Sequence, residues 1–126
     1  MATQYLGRHL IVEFYGCPPE IIDNIRFLEE TLVESVRKAE GKIIGKIFHK
    51  FSPQGVTGII AIAESHVSIH TWPEKNYMAL DVFTCGNRVD PWKIYKLVAE
   101  KVKHENVKVI ELKRGEIVEV EEVGRA

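Results

Sequence analysis

GVTGIIAIAESHVSIHTWPEKNYMALDVFTC, residues 55–85, decides the fold. Three β-rich apolar runs follow one another: 55–63, the run through HVSIHTW, and YMALDVFTC, with the Pro73-Glu74-Lys75-Asn76 turn before the last of them. Period-two alternation in the middle run puts Val67 and Ile69 on one face, toward a core, and His66, Ser68, His70 and Trp72 on the other. Working outward, 42–51 (KIIGKIFHKF) is a further strand, set off by the turn-forming Ser52-Pro53-Gln54-Gly55. Upstream, Ile21, Ile25, Leu28, Leu32 and Val36 recur at helical spacing, predicting one amphipathic helix from Glu20 to about Ala39, closed by Gly41. Residues 9–14 (HLIVEF) form a buried strand, broken by Gly16-Cys17-Pro18-Pro19. Downstream, Asp90-Pro91-Trp92 supplies an N-cap acceptor and a proline at the first helical position, and 107–112 (VKVIEL) is the last strand.

The order is β-α-β-β-β-β-α-β in one domain spanning 1–126. The expected architecture is a two-layer α/β (α+β) sandwich, with two helices packed on one face of a mostly antiparallel sheet. The other face must be covered or be unusually polar. Trp72 and Trp92 are expected to anchor the core.

The totals narrow the function. A formal net charge of -1, with Lys and Glu interleaved, gives no field to gather nucleic acid or an anionic membrane. The only apolar run near the N-terminus falls well short of the ~20 residues a spanning helix needs, so a cytoplasmic protein is expected. Cys17 and Cys85 form no metal-type pair and suit a reducing compartment; one disulfide between them is the alternative.

The densest polar cluster is 64–74, ESHVSIHTWPE. A solvated sheet face with incidental histidines is the bland account. A metal pair of His66 and His70 is disfavoured, because four residue steps along a strand put them about 13 Å apart at ~3.3 Å per step, and no metal is expected. A Cys85–His70 nucleophilic pair stays open, since adjacent strands can bring such residues into contact. The alternative for Cys85 is a small buried residue at a strand end.

Glu64-Ser65-His66, Ile69-His70-Thr71-Trp72-Pro73-Glu74, Asp81-Val82-Phe83-Thr84-Cys85-Gly86 and Asp90-Pro91-Trp92 together resemble the short prokaryotic S-adenosylmethionine decarboxylase proenzyme family. The likeness runs over essentially the whole chain and is strongest from about His49 to Trp92. It implies a carboxy-lyase that cuts itself between Glu64 and Ser65 into 1–64 (β chain) and 65–126 (α chain), Ser65 becoming a pyruvoyl group. Ser65 attacks the Glu64 carbonyl to give an ester. Loss of the Ser65 α-proton, with His70 as processing base, then expels the Glu64 carboxylate, and the dehydroalanine left behind hydrolyses. Thr57 falls where the family usually has a processing serine; its branched Cβ restricts χ1, and Ser52 is the fallback hydroxyl.

The resemblance further implies that the ketone forms a Schiff base with S-adenosylmethionine and that Cys85 returns a proton to Cα. Phe51 and His70 are expected to stack on adenine and Glu74 to hold the ribose. The product is the aminopropyl donor of spermidine synthesis. The family also implies a homodimer packed sheet to sheet, with sites near the interface and the tail after Leu112 available to cover a neighbour. Two alternatives are a pyruvoyl-dependent arginine decarboxylase of the same family and a non-enzymatic ligand-binding module. Parity adds a geometric demand: five residues separate Ser65 from His70, so a regular strand puts them on opposite faces unless the chain kinks near Ser65.

Overall fold

The computed structural model describes residues 4–116. Strands β1 (Gly7–Tyr15), β2 (Ile43–Lys50), β3 (Val56–Ile62), β4 (Ser65–Trp72), β5 (Tyr77–Cys85) and β6 (Asn106–Arg114) form one antiparallel sheet. Their order across it is β2-β3-β4-β5-β1-β6. The consecutive strands β2 to β5 pair as hairpins, while β1 is inserted between β5 and β6. Helices α1 (Pro19–Ile22), α2 (Ile25–Lys38) and α3 (Pro91–Val102) complete the elements of the described residues, with a short helical turn at Pro73–Lys75.

Alternation sorts the strand residues as the sequence predicts. Leu10, Val12 and Phe14 of β1, Val67 and Ile69 of β4, and Met78, Leu80 and Val82 of β5 are fully buried against the helices. Leu28, Leu32 and Val36 of α2 meet them, as do Ile94, Val98 and Val102 of α3. Each such side chain contributes roughly 1.5–3 kcal/mol on leaving water. The cap predicted at Asp90 is present, its carboxylate accepting from the Trp92 amide at 3.0 Å.

The first predicted helix is divided. Asn24 stops α1 and starts α2 by accepting from the Phe27 amide at 3.0 Å. The preceding Asp23 carboxylate accepts from the Gly55 amide at 2.8 Å and from Lys50 Nζ at 2.9 Å. Short polar side chains compete with helical backbone in this way, which the apolar spacing of the segment conceals.

Among the described residues the opposite sheet face carries no helix. The register places Ile47, Ile59, Trp72, Ile110 and Leu112 on it, beside polar and aromatic groups, and all five are more than 40% exposed. Trp72 is therefore not a core anchor: alternation outranks the residue's general preference for burial. Trp92 does pack against the core, and its indole donates to Glu111 at 2.6 Å.

Cys17 and Cys85 are both free. Cys17 is bonded through its amide and its carbonyl to Asn76, just before β5, while Cys85 ends β5, so the strand's length keeps the thiols apart. Burial pushes the Cys17 thiol up to about 11, which leaves it unreactive. No helix among the described residues is long and apolar enough to cross a membrane. The tail beyond residue 116 lies outside the described residues.

Candidate active site

The β3–β4 hairpin builds the first half of the site. Ile62 pairs with Ser65, so Ala63 and Glu64 make the reversal, and Glu64 takes φ 65°, a left-handed conformation uncommon for residues other than glycine. The sharp bend expected near Ser65 thus falls one residue earlier, and β4 runs on regularly from Ser65. The Ser65 hydroxyl accepts from the Cys85 amide at 3.3 Å. Ser65, Cys85 and Glu64 line a cavity of about 110 Å³ with Glu40, Lys42 and Arg88.

The second half lies toward the other end of β4. Thr57 of β3 and His70 of β4 are cross-strand partners, and the Thr57 hydroxyl sits 3.0 Å from His70 Nδ1. If that nitrogen donates to the hydroxyl, Nε2 keeps a free lone pair and can accept a proton. His49 pairs with Thr57 on its other side and meets the Phe51 ring edge-on at 4.6 Å. Phe51 is 48% exposed, so it is available to stack on a flat ligand and is not core. Glu74 is exposed in the helical turn after Trp72, and Ser52 is exposed in the β2–β3 turn.

Sequence parity holds: five residues along β4, roughly 16 Å at ~3.3 Å each, keep His70 away from Ser65. Alternation gives Ser65 to the helix face, with Val67 and Ile69, and His70 to the open face. Cys85 and His70 do not meet within one chain either, because His70 pairs with Ala79, six residues along β5 from Cys85.

Sequence reasoning missed a network on the open face beside the junction. His9 Nε2 lies 3.0 Å from Asp81 Oδ1, and an Arg114 guanidinium nitrogen lies 3.1 Å from His9 Nδ1. Arginine only donates, so Nδ1 accepts and Nε2–H points at the Asp81 carboxylate. Arg114 also lies 5.5 Å from the Phe83 ring centre, and His66 meets that ring edge-on at 5.6 Å. Burial, with His9 close by, pushes the His66 imidazole below its ordinary value, against the opposing pull of Asp81. Alternation in residues 9–14 marks His9 as outward-facing, but its partners come from distant segments.

A second network fixes the loop after Cys85. Glu111 accepts from Arg8 at 2.9 and 3.3 Å and from the Trp92 indole, tying the start of α3 to β1 and β6. The Arg8 hydrogen bond holds the Glu111 carboxylate below its usual range.

Residues 8–115 match the family model described as S-adenosylmethionine decarboxylase. The S-adenosylmethionine decarboxylase proenzyme of Caldicellulosiruptor saccharolyticus is 51% identical over 110 residues, covering 87% of this chain and 89% of that protein. That of Moorella thermoacetica is 50% identical over 112 residues, covering 89% and 90%. The crystal structure of the adenosylmethionine decarboxylase from Aquifex aeolicus VF5 superposes with a TM-score of 0.85 at 31% identity, over 94% of this chain and 97% of that one. Fold and relatives together define a carboxy-lyase of the two-layer sandwich kind. The chain belongs to the S-adenosylmethionine decarboxylase family.

Proposed function

We propose that this chain is the precursor of a pyruvoyl-dependent enzyme that decarboxylates S-adenosylmethionine, giving the aminopropyl donor of spermidine synthesis. The observation that carries this reading is the Ser65 hydroxyl, held by the Cys85 amide at 3.3 Å at the mouth of a tight reversal. A peptide bond breaks there only if a hydroxyl is held beside its carbonyl, and a left-handed Glu64 costs roughly 1–2 kcal/mol that cleavage releases. The residues also suit the group that Ser65 would become. Cys85 is within reach of it, a small cavity admits water, and Lys42 and Arg88 face the same space with positive charge. The pyruvoyl ketone supplies an electron-accepting carbonyl that a substrate amine can join.

The protein's own side chains then divide the work. Cys85 holds the proton destined for the substrate Cα. Phe51 and His70 offer flat faces for an adenine, and Glu74 offers a carboxylate to ribose hydroxyls. Residues 1–64 and 65–126 are the product chains.

The distance between Thr57–His70 and the junction supports a further element of this reading: the processing pair acts on the junction of a second copy. A homodimer packed through the open face would cover its exposed Ile47, Ile59, Trp72, Ile110 and Leu112 and carry one hydroxyl–imidazole pair toward the other protomer's Glu64–Ser65 bond. Co-expression tests it. Ser65→Ala alone is expected to stay as one uncut, inactive chain by intact mass, and His70→Ala alone to stay uncut. Expressed together and differently tagged, the His70→Ala chain is expected to be cut by the intact imidazole of its partner. A His70→Ala chain that stays whole in the mixed dimer would refute action between subunits, and turnover of S-adenosylmethionine by Ser65→Ala would refute the cofactor.

A further inference from the structure

The Thr84 hydroxyl is fully buried and makes no hydrogen bond among the described residues. Such a group costs about 1–3 kcal/mol, so its retention in a core strand asks for a function. His66 pairs with Phe83 across β4 and β5, and the same antiparallel register sets Thr84 opposite Ser65. Alternation puts both side chains on the helix face. Facing residues of an antiparallel pair have Cβ atoms about 4.5–5.5 Å apart, close enough for a hydroxyl to reach a group built on its partner's side chain. The other neighbours are engaged elsewhere: Arg8, opposite Thr84 on β1, is taken up by Glu111, and the Ser65 hydroxyl accepts from the Cys85 amide.

We infer that Thr84 Oγ1–H is the donor that receives the Glu64 acyl group once it has moved onto Ser65, and that it stabilises the carboxylate leaving Ser65. The inference rests on the self-cleavage proposed above. In acyl transfer the Glu64–Ser65 C–N bond breaks and a C–O bond to Ser65 Oγ forms, the Oγ proton passing to the freed amine. In elimination a base removes the Ser65 α-proton and the Cα–H electron pair becomes the Cα=Cβ bond. The Cβ–Oγ bond breaks with its pair on Oγ, which departs as part of the Glu64 carboxylate. In that second step negative charge develops on the departing carboxylate, at the position a hydroxyl on Thr84 faces. Thr84 keeps its proton throughout and acts by hydrogen bonding. In the uncut chain this donor is idle, which accounts for its lack of a partner.

The test is Thr84→Val, which keeps shape and removes the hydroxyl, with Thr84→Ser as the conservative control. Losing one preorganised donor to a developing oxyanion typically costs about 10²–10³ in rate, so cleavage of the Val precursor should slow by that factor. Its urea midpoint should equal or exceed that of the precursor fixed by Ser65→Ala, because an unpartnered hydroxyl has been deleted. Thr84→Ser should be cut within a few-fold of the wild-type rate. Hydroxylamine should split the Val precursor and leave Glu64 as a hydroxamate, detected by mass, because the ester accumulates. Wild-type-like cleavage of Thr84→Val, a lowered midpoint, a Ser variant as slow as Val, or the absence of hydroxamate would each overturn the assignment. Failure of the cleavage reading itself would look different: the wild-type chain would remain whole.

Discussion

Replacing Thr57 by valine separates the hydroxyl's role in folding from its role in processing. Valine matches threonine in shape, so the β3–β4 pairing is kept and only the 3.0 Å contact with His70 Nδ1 is lost. Both residues are half-buried, and a hydrogen bond of this kind is worth about 0.5–1.5 kcal/mol net, so the unfolding free energy should fall by roughly 1 kcal/mol or less. The effect on cleavage should be far larger. A positioned acid or base contributes about 10²–10⁴ in rate, or roughly 2.7–5.4 kcal/mol of barrier at 1.36 kcal/mol per tenfold. The assay is a time course of intact mass for freshly made precursor, with urea unfolding of the same variant in a Ser65→Ala background. Thr57→Ser restores a hydroxyl without the branched Cβ and should be cut at least as fast as wild type. A valine variant cut at the wild-type rate with its fold intact would refute the assignment of Thr57–His70 to processing.

Cys85→Ala should be cut normally and then decarboxylate S-adenosylmethionine poorly; undiminished turnover would exclude the thiol as proton donor. Thr71→Val removes the acceptor of the buried Val56 amide, 2.9 Å away, and should cost about 1–3 kcal/mol in urea unfolding, with no effect expected if that amide finds another partner. Glu111→Gln tests pH linkage. The Arg8 hydrogen bond, with the Trp92 indole, lowers the folded-state value of Glu111. Its contribution is therefore complete above the unfolded value near 4.3 and is lost as pH falls through the folded value. The stability gap between wild type and Glu111→Gln should be widest at neutral pH and should narrow below about pH 4. Urea midpoints at pH 7 and pH 3 measure it, and a gap independent of pH would contradict the linkage.

Much of this was legible in residues alone. The alternation of 65–72 sorted Val67 and Ile69 from His66, Ser68 and His70, and the structure keeps that sorting in every member. It also placed Trp72 on the open face, and weighting residue type above alternation was the mistake there. The helix break at Asp23-Asn24 escaped because its cause lies in Gly55 and Lys50, about thirty residues away. The parity of Ser65 and His70 was read correctly; the bend expected near Ser65 falls at Glu64, and it leaves the two side chains on opposite faces.

Local periodicity thus determined the element types and the two faces of the sheet, while the residues proposed to do chemistry came from the resemblance of spaced motifs to a family. Side-chain direction in a strand or helix follows from backbone geometry alone, which is why the elements and faces were readable. Only the tertiary structure decided that β1 enters between β5 and β6, bringing His9, Asp81 and Arg114 together, and that Thr84 faces Ser65 without a partner. Those facts depend on which distant strands pair and in what register. Pairing is settled by burial of the whole core at once, and no single stretch of sequence carries that information.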